Sequence, residues 1–213
     1  MQSIMRRGIF VSSASFAVLT VLAALRVLTV VALGLALPAV NAQTLLSQDE
    51  AHRLLRKGGV ALLLRHGQTE SGIGDPPGFT LDHCPTQRNL SEVGRAELRD
   101  MASRLSSAKI SFSRTYTSVW CRCRETAQML TVAPGKVEDW ALLNSQFSGN
   151  AVIDKANAQV VAKIRLVAAN ERWLLVTHQV NITATTGVVP MPGEGVLVQP
   201  FGNGIKVLGR VKL

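Results

Sequence analysis

The sequence predicts an α/β protein, a three-layer α/β/α sandwich with a mostly parallel central sheet. Two segments, Val60–Leu64 and Trp173–Thr177, are continuous apolar runs, the pattern of strands that are buried on both faces of a parallel sheet. Helical segments alternate with the strands, which is typical of sheets covered by helices on both faces. The chain has 213 residues, and after removal of a processed segment this length suits one domain.

The helices are predicted from caps and from apolar periodicity. Ser47–Glu50 is a capping box, and Gly58-Gly59 ends the short helix that it begins. Ser91 caps a second helix, in which Leu98 and Leu105 share one face. Two further helices are predicted over residues 121–130 and 154–169.

The remaining strands are shorter and the connections richer in turn residues. Ile110–Thr117 contains β-branched and aromatic residues and predicts a strand. Val196–Val198 and Ile205–Val211 predict edge strands after a segment rich in Gly and Pro. Residues 71–89 combine Gly, Pro, Asp and Thr, so a loop is predicted there.

The N-terminus has the pattern of a secretory signal peptide over residues 1–42. This segment has no acidic residue, and Arg26 precedes the apolar core Val27–Leu37. We expect cleavage after Ala42, a domain spanning 43–213, a periplasmic or secreted location and no stable membrane span after processing. Two alternatives stay open for the apolar stretch Ile9–Leu25: an over-extended N-terminus with translation starting nearer Arg26, or an uncleaved anchor.

The amino-acid composition and net charge limit the class of protein and the kind of partner that it binds. Hydrophobic residues make up 47% of the chain and charged residues 17%, which excludes a disordered polar chain, a collagen or a coiled coil. The net charge is +9, and removing Arg6, Arg7 and Arg26 with the signal lowers it to +6. A basic protein favours anionic partners. The basic residues occur in runs of two at most, so we expect no nucleic-acid partner.

Polar side chains follow three strands of the predicted sheet. Arg65-His66 ends the first apolar run, Ser118 and Arg122 follow the second strand, and His178 follows the third. Because ligands bind at the carboxyl ends of the strands in open α/β sheets, these groups are expected to share one edge. Two imidazoles and two guanidiniums together suit a dianion such as a phosphoryl group.

Four ordered segments resemble the histidine phosphatase superfamily, which includes the cofactor-dependent phosphoglycerate mutases and acid phosphatases. The segments are Leu64–Glu70 with its Arg-His-Gly triplet, Leu90–Ala96, Thr117–Ala127 and Leu175–His178. The resemblance extends over about residues 60–186 and implies a phosphoglycerate mutase-like fold.

The resemblance also implies roles for individual residues. His66 would be the nucleophile that becomes a phosphohistidine. Arg65, Arg122 and His178 would hold the phosphoryl oxygens and stabilise the transition state. Arg122 matches the family pattern and Arg124 does not. No cofactor and no metal are implied, because the guanidiniums supply the positive charge.

The remaining assignments concern the substrate pocket and the general acid. Gly67 is expected to allow a tight turn below the phosphate, and Gln68 and Thr69 are expected to contribute polar contacts to the pocket. The general acid is open, because the residue after the second histidine is Gln179, which is not an acid. The three candidates are Glu194, Asp75 and Glu70, and Glu194 is preferred.

The function implied is an exported phosphomonoesterase acting on a small phosphorylated substrate, for which an envelope sugar phosphate is one candidate. The alternatives are a phosphomutase and a phosphoryl-binding module with weak or no catalysis. In an exported protein Cys84 can form a disulfide with Cys121 and tether the loop to the active-site helix, whereas the alternative is three reduced, buried thiols.

Overall fold

The computed structural model describes residues 44–131, 137–145 and 150–213, and the predicted signal segment lies outside them. This part of the chain forms a six-stranded mixed sheet flanked by five α-helices. The helices are α1 Gln48–Lys57, α2 Glu92–Ser107, α3 Cys121–Leu130, α4 Asn150–Ile164 and α5 Gln179–Thr186. The strands are β1 Val60–Arg65, β2 Arg114–Thr117, β3 Val137–Asp139, β4 Arg172–Thr177, β5 Gly195–Phe201 and β6 Gly204–Val211.

The sheet confirms the predicted fold class. Its strand order is β3-β2-β4-β1-β5-β6. The first four of these are parallel to one another, and β5 and β6 add an antiparallel hairpin beside β1. The adjacent parallel strands β1 and β4 pair Arg65 with Thr177, so the residues that follow them, His66 and His178, leave the sheet side by side.

Two hydrophobic clusters cover the two faces of the sheet. Along β1, alternate residues enter opposite clusters: Leu62 and Leu64 pack with α1, α2 and α3, and Ala61 and Leu63 pack with α4 and α5. A strand that is buried on both faces must be apolar throughout, which accounts for the continuous run. Within the described residues, no helix is both long enough and apolar enough to cross a bilayer.

The structure differs from the predicted elements where the sequence pattern is weak. The strand β3 has three residues, two of them exposed carboxylates, and shows no periodicity. The helix α5 has the sequence QVNITATT, with five β-branched residues that disfavour a helix, yet it buries Asn181 and Ile182. The strand predicted to start at Ile110 starts at Arg114, and α4 ends at Ile164 rather than at residue 169.

One contact between α2 and the end of β1 requires glycine. A Cβ atom at residue 94 would overlap the backbone carbonyl of Gln68. The same carbonyl accepts hydrogen bonds from the backbone N–H and the hydroxyl of Ser91, the cap of α2. The helix therefore lies directly against the chain that leaves the first histidine.

Candidate active site

A pocket of about 520 Å³ opens at the carboxyl ends of β1 and β4. Its polar lining consists of Arg65, His66, Asp75, Arg88, Arg122, Ser145, His178 and Gln179. Its apolar lining comes from Ile73, Phe79, Trp120 and Val180. The four residues expected to share one edge, Arg65, His66, Arg122 and His178, therefore lie in one cavity.

The first histidine has a defined tautomer. The side chain of His66 is buried, and its Nδ1 lies 2.8 Å from the carbonyl oxygen of Gly67. A carbonyl only accepts, so Nδ1 carries the proton and Nε2 keeps its lone pair. Burial lowers the pKa of His66 to about 3, and the charges of Arg122 and Arg65 act in the same direction. At neutral pH this ring is a neutral imidazole with a free nucleophilic nitrogen.

The guanidinium of Arg122 faces a carboxylate. Arg122 lies in the first turn of α3, and its Nη1 and Nη2 donate to Oδ1 and Oδ2 of Asp75 over 2.7 and 3.3 Å. Asp75 also accepts from the indole N–H of Trp120 at 3.1 Å and from the backbone N–H of Arg88 at 3.0 Å. Burial by itself would raise the pKa of Asp75, but these hydrogen bonds outweigh burial and bring the pKa below its usual value. The carboxyl group is therefore ionised.

The arginines retain unused donors. Nη1 of Arg65 donates to Oε1 of Gln179 and to the carbonyl of Pro190, both at 2.9 Å. The Nε–H groups of Arg65, Arg88 and Arg122 are buried and make no hydrogen bond within the described residues. Buried unpaired donors are costly, and an anion in the pocket would provide acceptors for them.

The second histidine lies close to the first. The ring centroids of His66 and His178 are 5.4 Å apart, and Trp120 stands edge-on to His178 at 5.3 Å. Nε2 of His178 is 2.9 Å from the hydroxyl of Ser118. Burial lowers the pKa of His178 well below its usual value, with smaller effects from His66, Arg122 and Arg65. Both imidazoles are therefore neutral in the ligand-free pocket.

A disulfide joins Cys84 to Cys121, whose Cα atoms are 5.6 Å apart. It fastens residues 71–89 to the first residue of α3, next to Arg122. Cys123 is free and buried, and burial raises its pKa to about 12, so it remains a thiol at neutral pH.

Several residues expected in the pocket lie elsewhere. The side chain of Gln68 is exposed and Thr69 forms a bridge with Leu90, and neither lines the pocket. Gly67 does not adopt a positive φ. A Cβ there would lie 2.8 Å from Cδ1 of Leu98, so any larger residue would have to displace that side chain.

The structure places Asp75 in the pocket, and not Glu194, the general acid preferred from the sequence. The carboxylate of Glu194 accepts from the backbone N–H of Met191 at 3.0 Å and lies 3.4 Å from Nε of Arg210. This turns it away from the pocket, although its backbone carbonyl accepts from the N–H of Arg65. Glu70 is exposed and also outside the lining. Asp75 is the carboxylate that lines the cavity among the described residues.

Sequence reasoning missed several parts of the wall. Arg88 and Phe79 belong to the predicted loop and carry no periodic signal, and Gln179 was considered only as a non-acid. Trp120 is packed in the core and also lines the pocket. No group of three or more His, Cys, Asp or Glu side chains is arranged to bind a metal in residues 44–131, 137–145 and 150–213.

Comparisons with known proteins agree with this architecture. Residues 61–151 match the family model of the histidine phosphatase superfamily, branch 1. No curated protein matches the chain.

Solved structures give the same fold at low identity. A provisionally assigned alpha-ribazole-5'-P phosphatase from Escherichia coli has a TM-score of 0.56 and 15% identity, over 70% of this chain and 95% of that one. A phosphoserine phosphatase mutant from Entamoeba histolytica, in complex with phosphoserine, has a TM-score of 0.54 and 16% identity, over 71% and 95%. YhfR from Bacillus stearothermophilus has a TM-score of 0.52 and 15% identity, over 70% and 95%.

Proposed function

We propose that this protein is an exported phosphomonoesterase of the histidine phosphatase type. The observation that carries the proposal is the state of His66. Its Nδ1 is fixed by the Gly67 carbonyl, and the imidazole is neutral, so Nε2 is an unprotonated nucleophile in a pocket lined by three arginines. The family-model match over residues 61–151 supports the same reaction class.

The reaction proceeds in two displacements. Nε2 of His66 attacks the phosphorus atom, a P–N bond forms and the P–O bond to the leaving group breaks. Arg65 and Arg122 stabilise the negative charge on the transferred oxygens. A water molecule then attacks the phosphohistidine, which releases inorganic phosphate and restores the neutral imidazole.

The leaving oxygen needs a proton unless its own acidity is high. Asp75 is the candidate, because its carboxylate lines the pocket. It is ionised while Arg122 binds it. When a phosphoryl group competes for Arg122, the carboxylate loses its partner and faces a second anion, so its pKa rises and it can carry the proton.

The substrate proposed is a small phosphate ester whose leaving group has a ring or an apolar face. Phe79 and Ile73 are exposed on one side of the pocket, and Val180 is exposed on the other. An envelope sugar phosphate satisfies this requirement, because aromatic side chains such as Phe79 pack against the C–H faces of sugars. It also agrees with the signal pattern over residues 1–42.

The test of the proposal is to trap the intermediate. Rapid-quench mass spectrometry with an aryl phosphate should add about 80 Da to the peptide that contains His66, and the label should be acid-labile and alkali-stable. His66→Ala should lower turnover by roughly 10⁴-fold or more. His83→Ala, at an exposed loop position, is the matched control. A label on His178 or on a serine would overturn the assignment.

A phosphoryl-binding module is the second candidate, because the Asp75 carboxylate occupies the donors of Arg122. Aryl phosphates distinguish the two functions, since their leaving groups require little protonation. A binding module would hold phosphate without turnover. A phosphomutase would return the phosphoryl group to the sugar instead of releasing phosphate.

Hydrolysis that persists in EDTA is expected, because the arginines supply the positive charge.

A further inference from the structure

Asn144 lies behind His178 and sets the direction of a short hydrogen-bond chain. Its Oδ1 is 3.0 Å from the backbone nitrogen of Val119, which can only donate. This contact identifies the Asn144 atom as the oxygen and fixes the orientation of the amide. The backbone of Asn144 is held as well, because its carbonyl accepts from Nδ2 of Asn181 at 2.7 Å.

The direction of the Ser118 hydroxyl proton is therefore fixed. Its Oγ lies 3.2 Å from Oδ1 of Asn144, an acceptor, so the single hydroxyl proton points there. Oγ also accepts from the backbone N–H of Trp120 at 3.3 Å. The remaining lone pair of Oγ faces Nε2 of His178 at 2.9 Å, and only a protonated Nε2 can bond to it.

The opposite tautomer loses a hydrogen bond. If Nε2 of His178 were unprotonated, Ser118 would have to turn its proton away from Asn144, and two oxygen atoms would face each other across 3.2 Å without a proton. The sulfur of Cys123, 3.5 Å from Nε2, is compatible with the first arrangement, because it remains a thiol and sulfur is a weak acceptor.

We propose that Asn144, acting through Ser118, is a positioning residue that locks His178 as the Nε2–H tautomer and leaves Nδ1 to the pocket as a proton acceptor. The side-chain contacts of the His178 ring with Ser118 and Cys123 are both made by Nε2. To donate to a phosphoryl oxygen, Nδ1 must first take up a proton. Counting only His178 and the ester, and leaving aside the proton that Asp75 carries for the leaving group, the bound complex then holds one proton more than a neutral His178 and a dianionic ester. The protein therefore selects the monoanion.

The groups around His178 agree with this proton count. The charged and titratable groups that face it or share its pocket are His66, Arg65, Arg122, Cys123, Asp75 and Arg88. The arginines attract an anion, and the ionised Asp75 opposes a second negative charge. The tautomer itself does not depend on turnover. The selection of the monoanion rests on the proposed phosphatase function.

Long-range ¹H–¹⁵N correlation spectra of the ligand-free protein test the tautomer directly. We expect wild-type His178 with a protonated Nε2 and an unprotonated Nδ1. Asn144→Leu should give a mixture of tautomers, and Asn144→Asp, which still accepts twice, should restore Nε2–H. Asn157→Leu, which removes one buried acceptor far from His178, should leave the spectrum unchanged. A wild-type Nδ1–H tautomer would overturn the inference.

The pH dependence of kcat/KM tests the proton count. For two aryl phosphates with different second pKa values, kcat/KM should fall at least tenfold per pH unit above each ester's own second pKa, which is near 6 for phosphate monoesters. A flat profile up to pH 8 would overturn the selection of the monoanion. Absence of any turnover would instead contradict the proposed function and leave the spectroscopic result standing.

Discussion

Two regions meet at the pocket, and different forces hold them. The sheet rim, formed by Arg65, His66 and His178, continues directly from strands buried on both faces. The tethered loop, residues 71–89, contains a single 3₁₀ turn at Cys84–Thr86. It is held by its disulfide to Cys121, by the Asp75–Arg122 pair and by Gln87, which accepts from the backbone N–H of Cys121 at 2.9 Å.

Apart from Asp75, the proposed acid, the loop is assigned to recognition and the rim to chemistry. The sheet rim carries His66, the proposed nucleophile, and cannot move without disturbing the core. The tethered loop supplies Phe79 and Arg88, which line the pocket, and its position depends on a few polar contacts and one covalent bond. Changes in the rim should therefore lower kcat, and changes in the loop, other than at Asp75, should mainly raise KM. The following experiments test this division.

Arg122 joins the two regions, and its removal should have the largest effect. Arg122→Ala deletes two charge-assisted donors, each worth about 1.5–3 kcal/mol, so phosphate binding should weaken by about 100-fold and kcat should fall as well. Arg124→Ala is the matched control, because Arg124 pairs with exposed Asp139 outside the pocket. Isothermal titration with inorganic phosphate measures both. Equal losses in the two variants would contradict the assignment.

Removing the disulfide should destabilise the position of the loop and leave the sheet rim unchanged. Replacing both Cys84 and Cys121 by serine removes a bridge between residues 37 apart, which stabilises by about 3–4 kcal/mol in the chain-entropy model. Urea denaturation should show that loss, and KM for an aryl phosphate should rise more than kcat falls. Non-reduced, denatured wild type should label on one thiol, Cys123. Labelling of three thiols would rule the bridge out.

Acid should destabilise the rim through its buried histidine. The folded pKa of His66 is about 3 and its ordinary value is 6.5, so between these values the unfolded chain binds a proton that the folded chain does not. The free energy of unfolding should fall as pH falls through this window, by about 1.4 kcal/mol per pH unit for this histidine. His66→Asn should reduce the total slope in urea titrations by this amount and leave the part that comes from His178, whereas His83→Asn should keep the full slope.

Phe79 should have the smallest effect and the most selective one. Phe79→Ala should raise KM about two- to tenfold for esters with an aromatic leaving group, since one aromatic contact is worth about 0.5–1.5 kcal/mol. Esters with a small polar leaving group should change little. Leu81→Ala, on the same loop but outside the pocket lining, is the control. An equal rise in KM for both classes of ester would show that the loop does not discriminate between leaving groups.

The same division explains how much the sequence could predict. The rim was predictable because each apolar run ends abruptly in a polar residue, and parallel strands bring those ends together. The contacts of Asp75 and Arg88 were not, because loop residues have no periodicity and their partners are distant in the chain. Glu194 was preferred as the acid for its place near the rim, but Arg210 and the Met191 N–H turn its side chain away.

Asn144 illustrates a second limit. It lies outside every helix and strand, just after a 3₁₀ turn, and its function depends on the direction of hydrogen bonds rather than on charge. A neutral amide gives no signal in composition or spacing. Only the geometry of Val119, Ser118 and His178 reveals that its oxygen faces the Ser118 hydroxyl, which in turn faces the histidine.

Because of the close contact at Gly94, the orientation of the His66 ring depends on the packing of α2, a helix that does not line the pocket. A single methyl group at residue 94 would press on the Gln68 carbonyl and displace the peptide that begins at Gly67. The Gly67 carbonyl is the acceptor that orients the His66 ring, so the displacement would be transmitted as a rotation of the imidazole. The position of α2 thus helps to fix the orientation of the His66 imidazole and of its Nε2 atom.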